Sequence, residues 1–397
     1  MTQKREVTLP VFSLDERERL GFNVGSRPAR LSGLRLELQQ LKSKKVFHNY
    51  GHASYGICLS VGTARKVVEI FLRDQGLKNP EASTKSQEAS PSKLKPDAPE
   101  ELKNLEKLIQ KAGIIPGEFP EIAVMGAGIN GLMTTKTLAD LGFKVAIFAE
   151  NFPRKQLMYG DDKKKGVTQV APGFLMASES PEISSLGPMN EYCQQTFRFA
   201  RETMRTGAYR GFTKNDCYFL SDKELKHDEV LPYPEEPSEL VRVRFGAGDP
   251  VDALRVSVIM LESQLFLEDI VAELKAKNVR FVPKKFASLA DVESLEQGIV
   301  FNCLALGSGP IFGDKDVYPI KGGIVYFNRP KNADYSVSVT FKGKELHAYP
   351  KHTCVGLGRI YRPNEPENIE EDHKILEELV AEWREFWHDL TTPSPKL

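Results

Sequence analysis

Residues 121–150 read EIAVMGAGINGLMTTKTLADLGFKVAIFAE, and the fold follows from how this stretch is parsed. EIAVMG is a short apolar run of strand type, INGLMTTKTLADLG is a helix and KVAIFAE is a second apolar run, so the stretch is a βαβ unit. Gly126, Gly128 and Gly131 fall at its first turn in GxGxxG spacing, with Ala127, Ile129 and Asn130 between them. In such a turn the first glycine allows the tight bend, the second lets the backbone approach a pyrophosphate, and the third lets the helix pack closely. Unpaired N–H groups and the dipole at the helix start favour the anion. Glu150, followed by Asn151, closes the second strand at the distance where a carboxylate accepts hydrogen bonds from ribose hydroxyls. A dinucleotide site is the expectation. Spacing alone separates neither FAD from NAD nor a binding turn from a helix start that merely tolerates glycine.

Working outward, PEELKNLEKLIQKAG sets Leu102, Leu105, Leu108 and Ile109 at helical spacing before this unit. Before that, Leu77 to Glu100 is rich in Pro, Ser, Lys and Glu and cannot repay its own ordering entropy, so it reads as a linker. Downstream, VSVIMLESQLFLEDIVAELKAKN reads as one long helix, with VRFVP and GIVFNCLAL as further strands. DCYFLSD, LVRVRF, GGIVYFNRP, YSVSVTFKGKELHAYP and CVGLGRIY are β-branched, aromatic and punctuated by Gly and Pro, which predicts a second, mainly antiparallel sheet. NIEEDHKILEELVAEWREFW predicts an amphipathic helix.

Composition narrows the function classes. The 397 residues carry 54 Lys plus Arg and 54 Asp plus Glu, so no net field recruits nucleic acid or an anionic membrane. Five scattered cysteines with no CxxC pair, and seven dispersed histidines, fit a reducing compartment and predict no metal site. The start MTQKREVTLP has no apolar signal region and no run of 18 apolar residues occurs, which predicts a cytoplasmic protein. Pro395-Lys396-Leu397 differs from the peroxisomal SKL address at its first position, which leaves that compartment as an alternative.

An early block changes the reading. VFHNYGHASYGICLSVGTA, residues 46–64, is a strand, a glycine-punctuated loop and a helix from about Ile57 to Leu72. A helix N-terminus there would suit the negative charge of a reduced flavin ring. With the preceding residues from Arg27 (RPAR), it resembles the carboxy-terminal signature of the D-amino acid oxidase family, in which an RPxR segment leads to HNYGHGGxG and a helix. GAGINGL with Glu150 resembles that family's amino-terminal FAD signature, and TQVAPGFLMA from Thr168 resembles its flavin-contacting loop. CQQTF is similar to a helix of its substrate domain. NCLALGSGPIFGDKDVYPIKGGIVYF from Asn302 is similar to its middle segment, NCTGLGS followed by YPVRGQ.

The order differs from the family's: the RP and HNYGH block comes first here and last there. The expected fold is α/β, a Rossmann-like FAD-binding domain interleaved with a mainly antiparallel β substrate domain, in circularly permuted order. FAD-binding segments would be 27–75, 120–180 and 258–320. Substrate-domain segments would be 181–257 and 321–397 with 1–26, and 76–119 would be a linker with a short helix.

The resemblance implies bound FAD and an oxidase or dehydrogenase of a D-amino acid or related amine. In the family, hydride passes from the α-carbon to flavin N5, O2 becomes hydrogen peroxide, and the imine hydrolyses to a 2-oxo acid and ammonia. It implies cofactor contacts from His52, Ala53, Ser54, Tyr55, Gly56, Ile57 and Cys58, and from Thr168, Gln169, Val170 and Gly173. Arg27 stands at the carboxylate-binding arginine. His347 stands at the carboxylate-binding tyrosine, where it would donate one hydrogen bond with a pH-dependent charge; a surface histidine in a strand reads equally well. Gly343 stands at a lid tyrosine, Met176 at a polar glutamine, and Ser54 at a glycine whose carbonyl receives the substrate amine. Ala53 replaces the glycine before it, and Leu304 and Ala305 replace a Thr-Gly pair. These changes keep open a different amine or hydroxy acid substrate, or a flavin-binding module without turnover. A small-molecule substrate and a homodimer are the expected partners.

Overall fold

A computed structural model describes residues 4–77, 94, 98–153, 167–175, 189–221, 237–341, 344–358, 361–365 and 368–393. Most of the Leu77 to Glu100 linker, Met176, Gly343 and Pro395-Lys396-Leu397 lie outside these residues.

The GAGINGL unit builds a six-stranded sheet in the order Arg280–Pro283, Val145–Ala149, Ile122–Met125, Ile299–Asn302, Lys45–Tyr50, Arg35–Gln40. The first five strands are parallel, and Arg35–Gln40 closes the edge antiparallel. Because side chains alternate across a strand, each strand feeds two cores. Val124, Ile147, Phe47 and Phe301 face the helices Gly56–Leu77, Ile129–Asp140 and Ser263–Ala276. Ala123, Ala146, Val46 and Val300 face the short helices Leu289–Glu293 and Ser308–Phe312. The early strand Lys45–Tyr50 thus lies in register beside Ile299–Asn302, and its helix packs against Ile129–Asp140.

The second sheet has 11 strands and is mostly antiparallel. Its spine is the long pair Arg19–Arg30 and Val317–Asn328, which sets Ile320 opposite Arg27 and Gly322 opposite Gly25. The helix Ile369–Thr391 covers one face through Leu376, Val380, Trp383 and Trp387. Helix Glu100–Lys111 buries Leu102, Leu105 and Ile109 against the first core, as their spacing predicts.

Two expectations change. VSVIML belongs to the strand Val251–Leu261, and the helix runs only from Ser263 to Ala276. Its β-branched residues pair with Phe212–Ser221, so sheet pairing outweighs a pattern that also fits a helix. The helix containing CQQTF, Met189–Thr206, packs on Gly56–Leu77 and puts Cys193, Phe197 and Ala200 into the core of the parallel sheet.

Candidate active site

A cavity of about 470 Å³ opens where the parallel strands end and the two sheets meet. The carboxyl ends of parallel strands are where open α/β sheets bind ligands. Gly126, Gly128, Ile129, Asn130 and Gly131 line one wall, with Thr168 and Val170. A Cβ on Gly131 would fall 1.9 Å from the Gly126 carbonyl oxygen, and one on Gly126 would fall 2.4 Å from that of Cys303. These two glycines serve close packing. Gly128 is different: a Cβ there would have only Thr168 Oγ1 within 4 Å, at 3.6 Å. The backbone is therefore bare toward the cavity where a pyrophosphate would approach. The Ile129 N–H donates to Thr168 Oγ1 at 3.2 Å, so the helix start is capped from the adjacent segment 167–175.

The remaining expected contacts lie farther off. Ala127 is buried in the core, and Glu150 is exposed and pairs with Lys285 at 3.3 Å. Asn151 is exposed, Gln169 donates to Gln264 Oε1 at 3.1 Å, and Gly173 sits against the Leu261 carbonyl. The cavity lining does not include them.

All seven residues from His52 to Cys58 also line the cavity. His52 is buried, with its ring 3.2 Å from Thr63 Oγ1 and 3.4 Å from Asn130 Nδ2. Burial pushes its pKa down to about 3, so the imidazole is neutral at ordinary pH. Ala53 follows with φ of 47°, a left-handed conformation strained for alanine, and Ser54 is exposed at the rim. Helix Gly56–Leu77 starts here, so two helix N-termini, both favourable to negative charge, converge on one cavity. This set fits an FAD: the start of Ile129–Asp140 could hold the pyrophosphate and the His52–Cys58 turn the ring system.

Arg27 is the one charged side chain among the described residues lining the cavity. It is half-buried, its Nη1 lies 3.4 Å from the Lys321 carbonyl, and it fills the space that a side chain on Gly322 would need. His347 and Tyr349 stand two apart on strand Lys344–Pro350, so both face the cavity, with rings stacked at 5.7 Å and 23°. His347 Nδ1 lies 2.9 Å from Ser338 Oγ, and burial lowers its pKa to about 4. The expected pH-dependent charge is thus absent at ordinary pH, because desolvation disfavours the imidazolium. Burial raises the Tyr349 pKa, against the opposing pull of the Arg27 charge, so its hydroxyl stays a donor.

Tyr349 was not among the expected site residues, nor were Asn23 and Gly322, which also line the cavity. The period of a strand carries the signal for Tyr349: once residue 347 faces a site, residue 349 shares it.

No family model matches the chain. Over 218 residues it is 22% identical to the D-amino-acid oxidase of Schizosaccharomyces pombe, covering 53% of this chain and 60% of that one. Over 224 residues it is 25% identical to the D-amino acid oxidase of Dugesia ryukyuensis, covering 53% and 61%. The chain thus spans about three-fifths of the length of these curated relatives. Among solved structures, the glycine oxidase of Bacillus cereus ATCC 14579 aligns with a TM-score of 0.42 and 14% identity, covering 65% of this chain and 78% of that one. Over about half its length the chain is thus similar to D-amino acid oxidases, the family that its motifs resemble.

Proposed function

We propose that the chain is an FAD-dependent oxidoreductase acting on the CH–NH2 group of a D-amino acid or related amine. One observation carries this reading: a single cavity is lined by the bare Gly128 backbone, two helix N-termini, and the Arg27 guanidinium with the Tyr349 phenol. When bound, FAD supplies the redox chemistry, accepting a hydride from the α-carbon and giving O2 the electrons, after which the imine hydrolyses to a 2-oxo acid and ammonia.

The protein's part is to hold and orient. Arg27 offers two parallel N–H donors and a permanent charge to the substrate carboxylate, and the protonated Tyr349 hydroxyl adds a third donor. No carboxylate side chain is among the described residues of the lining. His347, neutral and tied to Ser338, contributes a polar surface without adding charge. The apolar walls, Val170, Phe174 and Ile324 among them, keep water from the reacting carbon.

The arrangement also supports the permuted order: the family's last block stands first in this chain, yet its strand Lys45–Tyr50 lies beside Ile299–Asn302 and its helix beside Ile129–Asp140.

The test is anaerobic addition of a panel of D- and L-amino acids and amines to the flavin-loaded protein, followed by air. Bleaching of the flavin by a D-amino acid with recovery in air is the expected result. A flavin that never bleaches would leave a binding module without turnover, and a protein that binds NAD but no flavin would overturn the reading. Arg27→Ala should keep its flavin and lose about 2 to 5 kcal/mol of carboxylate binding, seen with benzoate as a flavin-perturbing ligand. Unchanged benzoate affinity would mean that Arg27 does not bind the carboxylate.

A further inference from the structure

The side chain of Lys351 is 8% exposed, although no expected site contains it. Its ammonium lies 3.4 Å from the Ala171 carbonyl, 3.4 Å from the Leu261 carbonyl and 3.7 Å from the Glu262 carboxylate. Two of its three donors therefore have carbonyl acceptors, and the carboxylate stands just beyond hydrogen-bond distance. The backbone carrying it is itself fixed. The buried Arg329 guanidinium donates to the carbonyls of Lys351, at 2.9 and 3.1 Å, and His352, and the His352 N–H reaches Glu262.

The two carbonyls belong to neighbouring segments, since Phe174–Leu175, just after Ala171, pairs with Met260 and Ile259. Leu261 ends the strand that carries the large sheet toward helix Ser263–Ala276. Ala171 lies in the loop 167–175, which forms the cavity wall through Thr168, Val170, Ala171, Pro172 and Phe174. That loop meets Leu261 by a second route: the Leu261 N–H donates to the Gly173 carbonyl at 2.7 Å, and a Cβ on Gly173 would fall 1.8 Å from the Leu261 oxygen. At its other end the loop presents Thr168 Oγ1 to the first N–H of helix Ile129–Asp140.

We propose that Lys351 is a positioning residue: it clamps the loop 167–175 to the large sheet and so sets the wall that faces the cofactor. This rests on reading the cavity as a flavin site. Lys351 does not line the cavity, so it acts through Ala171. A methionine of similar length would keep the packing of the stem and leave the Ala171 carbonyl without its charged donor.

Lys351→Met and Lys351→Arg test this, with amide hydrogen exchange of the cofactor-free protein and FAD titration followed by flavin fluorescence. In the methionine variant, exchange across 167–175 should quicken while 133–140, beyond the Thr168 contact at Ile129, stays unchanged, and the FAD dissociation constant should rise roughly tenfold. Arginine should restore both in part. Unchanged exchange across 167–175, or an equal rise across 133–140, would overturn the proposal, since the first denies the clamp and the second makes Lys351 a general stabiliser. If the unaltered protein takes up no FAD, the flavin reading falls while the exchange measurement still decides the clamp.

Discussion

The guanidinium of Arg27 occupies the volume in which Gly322 would carry a side chain: a Cβ built there would lie 2.7, 2.8 and 2.9 Å from Nη2, Cζ and Nη1. Arg27 and Gly322 belong to paired strands in antiparallel register, so the missing side chain on one makes the seat of the other. Gly322→Ala should push the guanidinium out of place, because the backbone of a central strand cannot yield and the flexible arginine can. Benzoate affinity should fall about tenfold or more while flavin content and melting temperature change little. Equal affinity in the alanine variant would show that the seat does not matter.

The glycines of the GAGINGL turn separate by what surrounds them. At Gly131 an added methyl meets the Gly126 carbonyl at 1.9 Å, a backbone atom, so Gly131→Ala should overpack the turn and cost about 1–3 kcal/mol or more. Gly128 has φ of −72°, which any residue adopts, and faces the cavity. Gly128→Val should therefore melt like the unaltered cofactor-free protein and fail to retain FAD. Melting curves with a flavin absorbance measurement separate the two, and an undiminished flavin content in Gly128→Val would remove the pyrophosphate from that turn.

The sequence carried the βαβ unit and the early block because glycine spacing and apolar periodicity are local signals. It also carried the link between distant motifs, for a reason visible only in space. Arg30 of RPAR bonds Asp314 of FGDKD at 2.8 Å, and Tyr50 of HNY donates to the same carboxylate at 2.7 Å. Arg35 donates to the Tyr50 hydroxyl, also at 2.7 Å. Three motifs that look separate in the chain share one ion network. What was not legible depends on tertiary context. VSVIML became a strand because a partner strand was present, and Lys351 gained its place from carbonyls 90 and 180 residues away. The neutrality of His347 came from burial that no spacing reports.

Three histidines make the fold acid-sensitive. Burial lowers the pKa of His48 and His52 to about 3 and of His347 to about 4. The unfolded chain protonates these rings near pH 6.5 and the folded one does not, so stability is full above that pH and falls as pH drops toward the folded values. Each buried imidazole costs about 1.4 kcal/mol per pH unit across that window. The melting temperature should drop clearly from pH 7.5 to 5.0, and His347→Phe should flatten the slope. The same neutrality predicts that His347→Phe changes benzoate affinity by the same factor at pH 8 and pH 5. An effect that grows toward pH 5 would mean that the ring charges in the folded protein.

The block order proposed to be permuted can be changed to that of the family, because the two end regions of the described chain meet. Phe12 stacks on Trp387 at 4.3 Å, the Trp387 indole N–H donates to the Phe12 carbonyl at 2.9 Å, and Arg384 Nε reaches the Leu14 carbonyl at 2.9 Å. Both regions converge on the turn after Phe245: Gly246 N–H donates to the Leu9 carbonyl, and a Cβ on Gly248 would strike the Leu390 oxygen. A flexible connection from Leu397 to Met1 should therefore bridge the two end regions, and opening the chain near Pro120 should release the linker end without breaking a strand. The Glu100–Lys111 helix would then sit at the new carboxyl end, still held by its buried Leu102, Leu105 and Ile109. This reordered chain should fold, take up FAD with unchanged affinity and give the same response to benzoate, since each contact that forms the cavity is kept. Loss of flavin with intact secondary structure by circular dichroism would count against the permutation, because it would mean that the present order itself shapes the site.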